Sequence, residues 1–447
     1  CISQWGQDFR PSYLRILDFL DRLPHRPVLA AFTATATEQV RRDIVRILEL
    51  QTPLCVTTGF DRADLNFEVL KPKDNFAALR GLVAERQGSA GIVYCATRDS
   101  VERVCDKLCG LGVAATRYHA GLSDEERVQN QEDFLYDRRT VMVATNAFGM
   151  GIDKSNVGFV VHYNMPKSLE AYYQEAGRAG RDGEPADCVL LYAAADVMTA
   201  KFLIRNSGDN EDLSAEERRL VLEQDEKRLD AMIGYCKTTA CLRGYILAYF
   251  GQEGGNGCRN CGNCRSVYTE RDVTKEAQII LSCVQRIKNK LGYAVGSVLV
   301  ARTLRGSADK RVLQLGLDAL STYGLLKTAT REYIRELIEF LEAEGYLRTD
   351  PVHSGIDLTA SAGEVLFRGR KIRMPVKQAA KPVREKQRQT PRTGQDEELI
   401  QALKTLRLQL ARRENVPAYI IFSNAALADM AAKVPKTMSE FLEVSGV

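Results

Sequence analysis

The sequence predicts an α/β fold in which a parallel sheet occupies the first half of the chain and smaller, mainly helical units follow it. Short apolar segments alternate with helix-like segments as far as Asp196, which is the pattern of strands joined by crossover helices. Beyond Asp196 helical patterns dominate and a cluster of cysteines appears. The 447 residues exceed one ordinary hydrophobic core, so we expect several domains.

The predicted strands are short runs of β-branched and other apolar residues. They are residues 28–32, 91–95, 114–118, 141–144, 159–163 and 188–192. Helical patterns lie between them, for example at residues 100–110 and 123–136. Ser123 and Glu126 have the spacing of a capping box, which predicts that the second of these helices begins at Ser123.

The composition is that of a globular protein, with 45% hydrophobic and 27% charged residues. No apolar run approaches the roughly 20 residues that a membrane helix needs. Twelve cysteines without a secretion leader predict a reducing compartment. Because the chain starts at Cys1 and not at an initiating Met, we expect it to be a truncated piece of a longer protein.

The net charge of +4 is too small to indicate a nucleic-acid partner by itself, but basic residues are concentrated at 368–392. This stretch also contains Pro375, Pro382 and Pro391 and few large apolar residues. It cannot bury enough surface to offset its ordering entropy, so we predict a flexible linker. Whether it is only a solvated tether or also binds phosphates stays open.

Four cysteines have the spacing of metal ligands. They are Cys241, Cys258, Cys261 and Cys264. Four thiolates suit tetrahedral zinc, and we favour a closed structural zinc site, although an iron–sulfur cluster also takes four cysteines. We expect Gly257 and Gly262 to let the ligand loop bend tightly. Cys236 is a fifth candidate, and we interpret it as a small buried residue.

Polar residues follow the predicted strand at 141–144. Thr145 and Asn146 come directly after it. Gly151 allows close backbone approach, and Asp153 can accept a hydrogen bond from a ribose or from an arginine.

A second polar segment places two arginines behind glycines. Arg178 follows Gly177 and Arg181 follows Gly180, with Gln174 one helical turn before Arg178. Phosphoryl transfer requires cations on the developing charge of the γ-phosphate, so both arginines are candidate catalytic and nucleotide-binding residues, with Gln174 beside them. We interpret the segment as the start of a helix. A surface ion-pairing role is the alternative.

Other candidate DNA contacts are aromatic or cationic. The opening segment combines rings and a guanidinium, namely Trp5, Phe9, Arg10 and Tyr13. Such residues stack on single-stranded bases, but core packing of Trp5 and Phe9 is an open alternative. Arg98 and His119 follow predicted strands, where phosphate contacts form, although a lone histidine is commonly structural.

Four segments in this order resemble the superfamily 2 helicase motifs of the RecQ family. They are residues 1–10 (CISQWGQDFR), 32–37 (FTATAT), 144–153 (ATNAFGMGID) and 174–182 (QEAGRAGRD). The resemblance implies RecA-like helicase lobes, the first one partial, followed by a helical zinc-binding domain, a winged helix and a partial helical HRDC domain. It also implies that segment 144–153 lines both nucleotide and DNA, with Thr145 and Asn146 contacting DNA and Gly151 and Asp153 contacting the nucleotide. The implied boundaries are 1–66, 67–198, 199–273, 274–373, a basic linker at 374–394, and 395–447.

The implied winged helix supplies further candidates. Arg305 and Lys310 lie near a predicted helix start, where backbone amides add to phosphate attraction. The helix predicted at 331–344 carries an apolar stripe that we interpret as core. His353 lies in a hairpin tip, where this family places a ring against the last base pair of the duplex; an ordinary exposed turn residue is the alternative. In the tail, we expect Tyr419 to be a core residue.

The resemblance implies an ATP-dependent 3′ to 5′ DNA helicase of repair, recombination and replication, including the SOS response. It further implies structural Zn²⁺, ATP and Mg²⁺ as cofactors, DNA as partner, a single-strand-binding protein as a candidate partner of the winged helix, a monomer, and a bacterial cytoplasmic, nucleoid-associated location. No G-x-x-x-x-G-K-[ST] segment occurs in the 447 residues, so we expect no ATP hydrolysis by this chain alone. The alternative function is a non-enzymatic, zinc-stabilised DNA-binding module.

Overall fold

The computed structural model describes residues 15–33, 37–57, 59–149, 154–206, 215–254, 257–350, 355–377 and 394–446. The chain divides into two compact units. The first comprises Cys1–Arg265 together with Arg384–Val447, and the second comprises Ser266–Val383. No helix within the described ranges is long and apolar enough to span a membrane.

The first unit begins with two helices, α1 (Ile16–Leu20) and α2 (Glu38–Ile47). Thr37 caps α2, because its Oγ1 accepts a hydrogen bond from Val40 N at 3.4 Å. The strand predicted at 28–32 does not form. Val28 is 98% and Phe32 is 94% exposed, and neither residue pairs with a strand among those described. A parallel strand forms only beside neighbouring strands that complete its backbone hydrogen bonds. An apolar sequence by itself does not supply those neighbours.

A six-stranded parallel sheet forms the centre of the first unit. Its strands are β1 (Leu65–Leu70), β2 (Ala90–Tyr94), β3 (Ala115–Tyr118), β4 (Val141–Ala144), β5 (Val157–His162) and β6 (Ala186–Leu191). Their order across the sheet is β1-β6-β5-β2-β4-β3. The parallel α/β prediction is confirmed, and β2 to β6 overlap the predicted strands.

Helices cover both faces of this sheet. They include α3 (Asn75–Glu85), α4 (Arg98–Gly110), α5 (Asp124–Leu135) and α6 (Leu169–Ala176). Ile92 and Val93 belong to different hydrophobic clusters because successive side chains of a strand point to opposite faces. Ser123 caps α5 by accepting from Glu126 N at 3.2 Å, while the Glu126 carboxylate pairs with Arg117.

A helical region follows the sheet. Its helices are α7 (Ala194–Arg205), α8 (Ala215–Lys237), α9 (Leu242–Tyr249) and α10 (Gly262–Arg265). Leu229, Met232 and Tyr235 of α8 join the same hydrophobic cluster as the sheet residues Leu65 and Phe67. The hydrophobic core of the sheet is therefore continuous with that of the helical region.

The second unit is a separate mixed fold. Its elements are β7 (Tyr268–Asp272), α11 (Thr274–Leu291), α12 (Ser297–Leu304), α13 (Lys310–Gln314), α14 (Arg331–Ala343), β8 (Leu347–Thr349), β9 (Ile356–Leu358), α15 (Ala362–Phe367) and β10 (Arg373–Lys377), with a 3₁₀ helix at Leu317–Ala319. Strand β7 pairs antiparallel with β10, and β8 pairs antiparallel with β9. The predicted core stripe of α14 is fully buried. The β7–β10 pair lies mostly outside the predicted range 274–373.

The tail returns to the first unit as four helices, α16 (Gly394–Glu414), α17 (Ala418–Ile421), α18 (Asn424–Lys433) and α19 (Met438–Leu442). Leu427, Met430 and Val444 form a small core. Phe422 packs against this core, and its ring centroid lies 5.9 Å from that of Phe441. The residues of 374–394 beyond β10 lie almost entirely outside the described ranges.

The tail contacts the lobe that contains the sheet. The side chain of Lys154 has no exposed surface; its Nζ lies 2.6 Å from Asp137 Oδ1 and 5.6 Å from the ring centroid of Tyr419. Asn424 donates to Asp182 at 3.2 Å. Burial lowers the pKa of Lys154, although Asp137 acts in the opposite direction. Tyr419 thus contacts the lobe through Lys154, whereas the sequence predicted only that Tyr419 is a core residue.

Candidate functional site

Candidate DNA-contacting residues gather at one edge of the sheet, because the carboxyl ends of parallel strands meet there. Arg98 is exposed as the first residue of α4, and Asn146 is exposed just after β4. Thr145 is buried: its N–H donates to Tyr118 O at 3.1 Å, and its Oγ1 accepts from Ala147 N at 3.4 Å. Thr145 therefore shapes the turn that presents Asn146.

His119 has a structural environment. The ring is buried, and Gly121 N–H donates to Nδ1 at 3.1 Å, so Nδ1 is unprotonated. Nε2 then carries the proton and donates to Glu102 Oε1 at 2.6 Å. Both ring nitrogens are thus engaged, which leaves neither of them for the phosphate contact predicted from the sequence.

The two candidate arginines lie after the end of a helix. Helix α6 ends at Ala176 and Gly177 is its C-cap, so interpreting the segment as a helix start is wrong. Gln174 is exposed in the last turn and Arg181 is exposed beyond it. The last carbonyls of a helix carry partial negative charge, which attracts guanidinium groups.

Arg178 links this helix end to the turn after β4. Its Nη1 donates to Gly149 O at 2.5 Å, and its Nε is buried without an acceptor among the described residues. Tyr94 lies beside it and donates to Phe148 O at 3.2 Å. Burial raises the pKa of the Tyr94 hydroxyl while the charge of Arg178 opposes the rise. Arg178 therefore joins the two polar segments that the sequence singled out.

Several predicted site residues fall outside the described ranges. They are Trp5, Phe9, Arg10, Tyr13, Gly151, Asp153 and His353. Their assignments stay predictions from the sequence.

The four predicted metal ligands come together. The Sγ atoms of Cys241, Cys258, Cys261 and Cys264 all lie within 4.8 Å of one another. Backbone N–H groups donate to three of these sulfurs at 3.2 to 3.4 Å, as expected for thiolate acceptors. Cys236 is instead a buried member of the hydrophobic cluster, as predicted.

The chemistry of the donors fits one divalent ion. Burial acts to raise the pKa of Cys241, but hydrogen bonds from Gly244 and Cys258 outweigh it and lower the pKa to about 6. Burial, reinforced by neighbouring sulfurs, raises the pKa of Cys264 to about 12. Four thiolates at this spacing would repel one another, and a zinc ion held by the four sulfurs would neutralise that repulsion.

The two glycines of the ligand loop have different functions. Gly257 has φ +101°, a conformation that side chains disfavour, so the predicted tight bend is correct there. Gly262 is required by close packing, because a Cβ at this position would lie 2.9 Å from Glu68 Cγ on β1. The loop is thus packed directly against the edge strand.

The second unit has a basic cleft of about 980 Å³ beside the β8–β9 hairpin. It is lined by Arg302, Arg311 and Arg348 and by the first residues of α12. No side chain in the described part of the chain caps α12, so its N-terminal amides add to the attraction of the arginines for anions. The Asp350 and Asp357 carboxylates also line the cleft. Lys288 Nζ lies 2.6 Å and Arg348 Nη2 lies 3.7 Å from Asp357 Oδ2, and Arg302 Nη1 donates to Asp309 Oδ2 at 3.0 Å.

The two cations predicted for this unit are both exposed. Arg305 follows α12, and Lys310 is the first residue of α13. Asp309 caps α13, with its Oδ1 accepting from Arg311 N at 3.1 Å. An acid at this helix start weakens the attraction for phosphate that the sequence suggested. Sequence reasoning missed Arg302 and Arg348, which only the tertiary fold brings together.

Comparisons with known proteins agree with this architecture. Four family models match the chain, in chain order the helicase conserved C-terminal domain at 74–183, the RecQ zinc-binding domain at 194–265, the RQC domain at 267–382 and the HRDC domain at 396–447. The zinc-binding match agrees with the four-cysteine cluster, so the metal is structural zinc rather than an iron–sulfur cluster.

Individual relatives match the whole chain. The ATP-dependent DNA helicase RecQ of Bacillus subtilis (strain 168) is 41% identical over 447 residues, covering 100% of this chain and 72% of the relative. The protein of the same name from Pasteurella multocida (strain Pm70) is 37% identical over 452 residues, covering 100% and 69%. A solved structure of S. cerevisiae Dbp5 bound to RNA and ADP BeF3 is 22% identical over 51% of this chain and 61% of that chain, with a TM-score of 0.39, too weak to bear on the assignment. From the domain matches and the two RecQ relatives, the chain belongs to the RecQ family of ATP-dependent DNA helicases.

Proposed function

We propose that the chain provides the second motor lobe, the zinc-binding domain and the duplex-binding unit of a 3′ to 5′ DNA helicase. The observation that supports this most strongly is the link between Arg178 and Gly149, which connects two helicase motifs at the carboxyl edge of the sheet. The domain ranges given by the sequence remain part of this proposal, with the RQC unit extended to include the β7–β10 pair.

In this proposal Arg181 neutralises the charge that develops on the γ-phosphate, and Arg178 holds the turn after β4 against the end of α6. ATP with Mg²⁺ supplies the hydrolysis that drives movement, and its other contacts belong to a P-loop segment that these 447 residues do not contain. We call this chain together with a P-loop-bearing first lobe the complete helicase.

Each unit carries its own proposed DNA contacts. In the first unit they are Arg98 and Asn146, and in the second they are the cleft arginines together with Arg305 and Lys310. His119 is left out because its ring nitrogens are engaged. A monomer in the bacterial cytoplasm, acting at the nucleoid and meeting a single-strand-binding protein through the winged helix, completes the proposal.

The 447-residue chain alone should bind DNA in a salt-dependent way and show no DNA-stimulated ATPase activity. Phosphate contacts release counterions, so the logarithm of the binding constant should fall linearly with the logarithm of salt concentration. Fluorescence anisotropy with a tailed duplex and a phosphate-release assay measure both properties. Turnover above background would mean that a nucleotide site exists here without a P-loop, and binding that is insensitive to salt would remove the proposed contacts.

Replacing Arg311 and Arg348 together by alanine should weaken duplex binding about tenfold and lower the salt slope by about two, one phosphate contact for each arginine. Both side chains line the basic cleft, and both residues are exposed, so folding should be preserved. Arg331→Ala is the matched control, because Arg331 is exposed on the same unit but does not line the cleft. Equal losses in the control would show that the cleft has no specific part in binding.

A further inference from the structure

Residues 59–65, which end at the first residue of β1, lie between two functional parts of the first unit. We call them the bridging segment, and we call residues 177–184, which carry Arg178 and Arg181, the arginine loop. Residues 241–265, which carry the four cysteines, are the zinc module. Some residues of the bridging segment contact the arginine loop, and others contact the zinc module.

Arg62 contacts the arginine loop directly. Its Nη2 donates to Ala179 O and to Gly180 O, both at 3.0 Å, and its Nη1 lies 3.5 Å from Gly177 O. These carbonyls lie at and just beyond the end of α6, where helical hydrogen bonds run out, and a cation satisfies them well. The same backbone carries Arg178 and Arg181, so Arg62 fixes the position from which both side chains extend.

Asp64 orients Arg62. Its two carboxylate oxygens accept from Arg62 Nε at 3.0 Å and from Arg62 Nη2 at 2.6 Å, a two-point contact that sets the plane of the guanidinium. Asp64 also packs on Gly180, where a Cβ would lie 2.6 Å from its Oδ2 and where φ is +64°. The loop is therefore closely fitted to this pair, and no residue larger than glycine is accommodated at Gly180.

The zinc module binds the other residues of the bridging segment. Arg243 is buried, and it donates to Asp61 Oδ1 at 2.7 Å and to Leu65 O at 2.7 Å. Asn260, between two zinc ligands, donates to Ala63 O and Leu65 O at 3.2 Å.

A second set of contacts holds Phe60. Its ring stacks on Phe250 with centroids 4.6 Å apart, and its N–H donates to Gln252 Oε1 at 2.8 Å. Tyr173 of α6 donates to Phe60 O at 2.6 Å. The bridging segment is thus held by the zinc-module residues from one side and by the arginine loop and α6 from the other.

We propose that Arg62 is a positioning residue for the two motor arginines, and that the zinc module holds the bridging segment from which Arg62 acts. This inference rests on the proposed function of Arg181 as the residue that meets the γ-phosphate. A structural zinc site far along the chain would then support ATP turnover through a chain of named hydrogen bonds, without touching nucleotide.

The test compares Arg62→Ala and Arg62→Lys with Arg86→Ala. Arg86 is a matched control because its Nε and Nη2 both donate to Asp187 Oδ2 in the same lobe and it has no contact with the arginine loop among the described residues. In the 447-residue chain, hydrogen exchange should rise at the Gly180 and Asp182 amides in Arg62→Ala but not in Arg86→Ala. These amides donate to Val157 O and Ser155 O.

In the complete helicase, Arg62→Ala should lower kcat about ten- to hundredfold with KM for ATP and DNA affinity within about twofold of wild type, as expected when a catalytic group is displaced. Arg62→Lys keeps the positive charge but loses the planar guanidinium that binds two oxygens at once. Its kcat should therefore lie between those of Arg62→Ala and the wild type. Arg243→Lys should keep one zinc per chain and still raise exchange at the Leu65 amide, which donates to Arg62 O at 3.1 Å.

Unchanged exchange at Gly180 and Asp182 in Arg62→Ala, or an equal fall of kcat in Arg86→Ala, would overturn the inference. The proposed function is judged separately, by the turnover of the wild-type complete helicase. If that turnover is absent, the proposed function fails, while the exchange data on the chain still decide whether Arg62 positions the arginine loop.

Discussion

Replacing Cys261 by serine should release the zinc and unfold the zinc module. Cys261 is 1% exposed, and its Sγ accepts hydrogen bonds from Leu242 N and Cys264 N, so the sulfur lies at the centre of the ligand loop. Zinc binding is worth about 10–16 kcal/mol in isolated zinc-binding peptides, as much as the whole stability of many domains. Metal analysis should fall from about one zinc per chain to nearly none, and amides of residues 241–265 should lose protection from exchange.

Cys236→Ser is the matched control for this variant. Cys236 is 3% exposed in the same hydrophobic cluster but lies outside the ligand group, so its replacement should lower stability and leave zinc content at one per chain. Chelation of wild-type protein should reproduce the Cys261→Ser result. A chain that keeps its zinc as Cys261→Ser, or that loses it as Cys236→Ser, would contradict the ligand assignment.

Replacing Arg181 by alanine should lower the ATP turnover of the complete helicase about a thousandfold. An arginine that meets the transferring phosphoryl group is worth about 10³ to 10⁵ in kcat. Arg181 is exposed beyond the end of α6, so the substitution should leave the melting temperature and zinc content of the 447-residue chain unchanged. A steady-state phosphate-release assay with saturating DNA and ATP measures the effect.

Arg103→Ala serves as the control for Arg181→Ala, since Arg103 is an exposed arginine of the same lobe whose partner is Asp99 on its own helix. Its kcat should match that of the wild type. Arg178→Ala should lower both kcat and stability, because Arg178 also donates to Gly149 O. Turnover by Arg181→Ala within tenfold of wild type would exclude the proposed role of this residue.

The sheet was largely predictable because its central strands are continuous apolar runs. Strands β2 and β4 are buried along their whole length, which is what a parallel sheet covered on both faces produces. Strand β1 was missed because Asn66 and Glu68 interrupt its apolar pattern. Strand β1 lies at the edge of the sheet, where it pairs with one neighbouring strand only, β6.

The cysteine ligands were also predictable, because the spacing of the cysteines is itself the pattern of a metal-binding site. The arginine segment, in contrast, was predicted at the start of a helix and lies after the end of one. Glycines occur at both ends of helices, so Gly177 alone did not settle the direction. Ser168 carried the missing signal, because its Oγ accepts from Ala171 N at 3.2 Å and caps the start of α6. With Ser168 recognised as the N-cap, Gly177 falls at the end of the helix and not at its start.

The contacts that organise the site were beyond sequence reasoning for a physical reason. Arg62 and Ala179 are 117 residues apart, and Arg243 and Leu65 are 178 residues apart. An arginine that binds backbone carbonyls requires only a nearby carbonyl, so neither partner leaves a motif in the sequence. The same holds for the cleft formed by Arg302, Arg311 and Arg348.

Strand displacement by the complete helicase tests the central claim most directly. Two partial duplexes of equal length are compared, one with a 3′ single-stranded tail and one with a 5′ tail, each with ATP and Mg²⁺ and with a non-hydrolysable analogue as control. The account predicts ATP-dependent displacement from the 3′-tailed substrate, none from the 5′-tailed one, and loss of displacement in Arg181→Ala. ATP-independent displacement, or equal displacement from both substrates, would contradict a directional motor built on this chain.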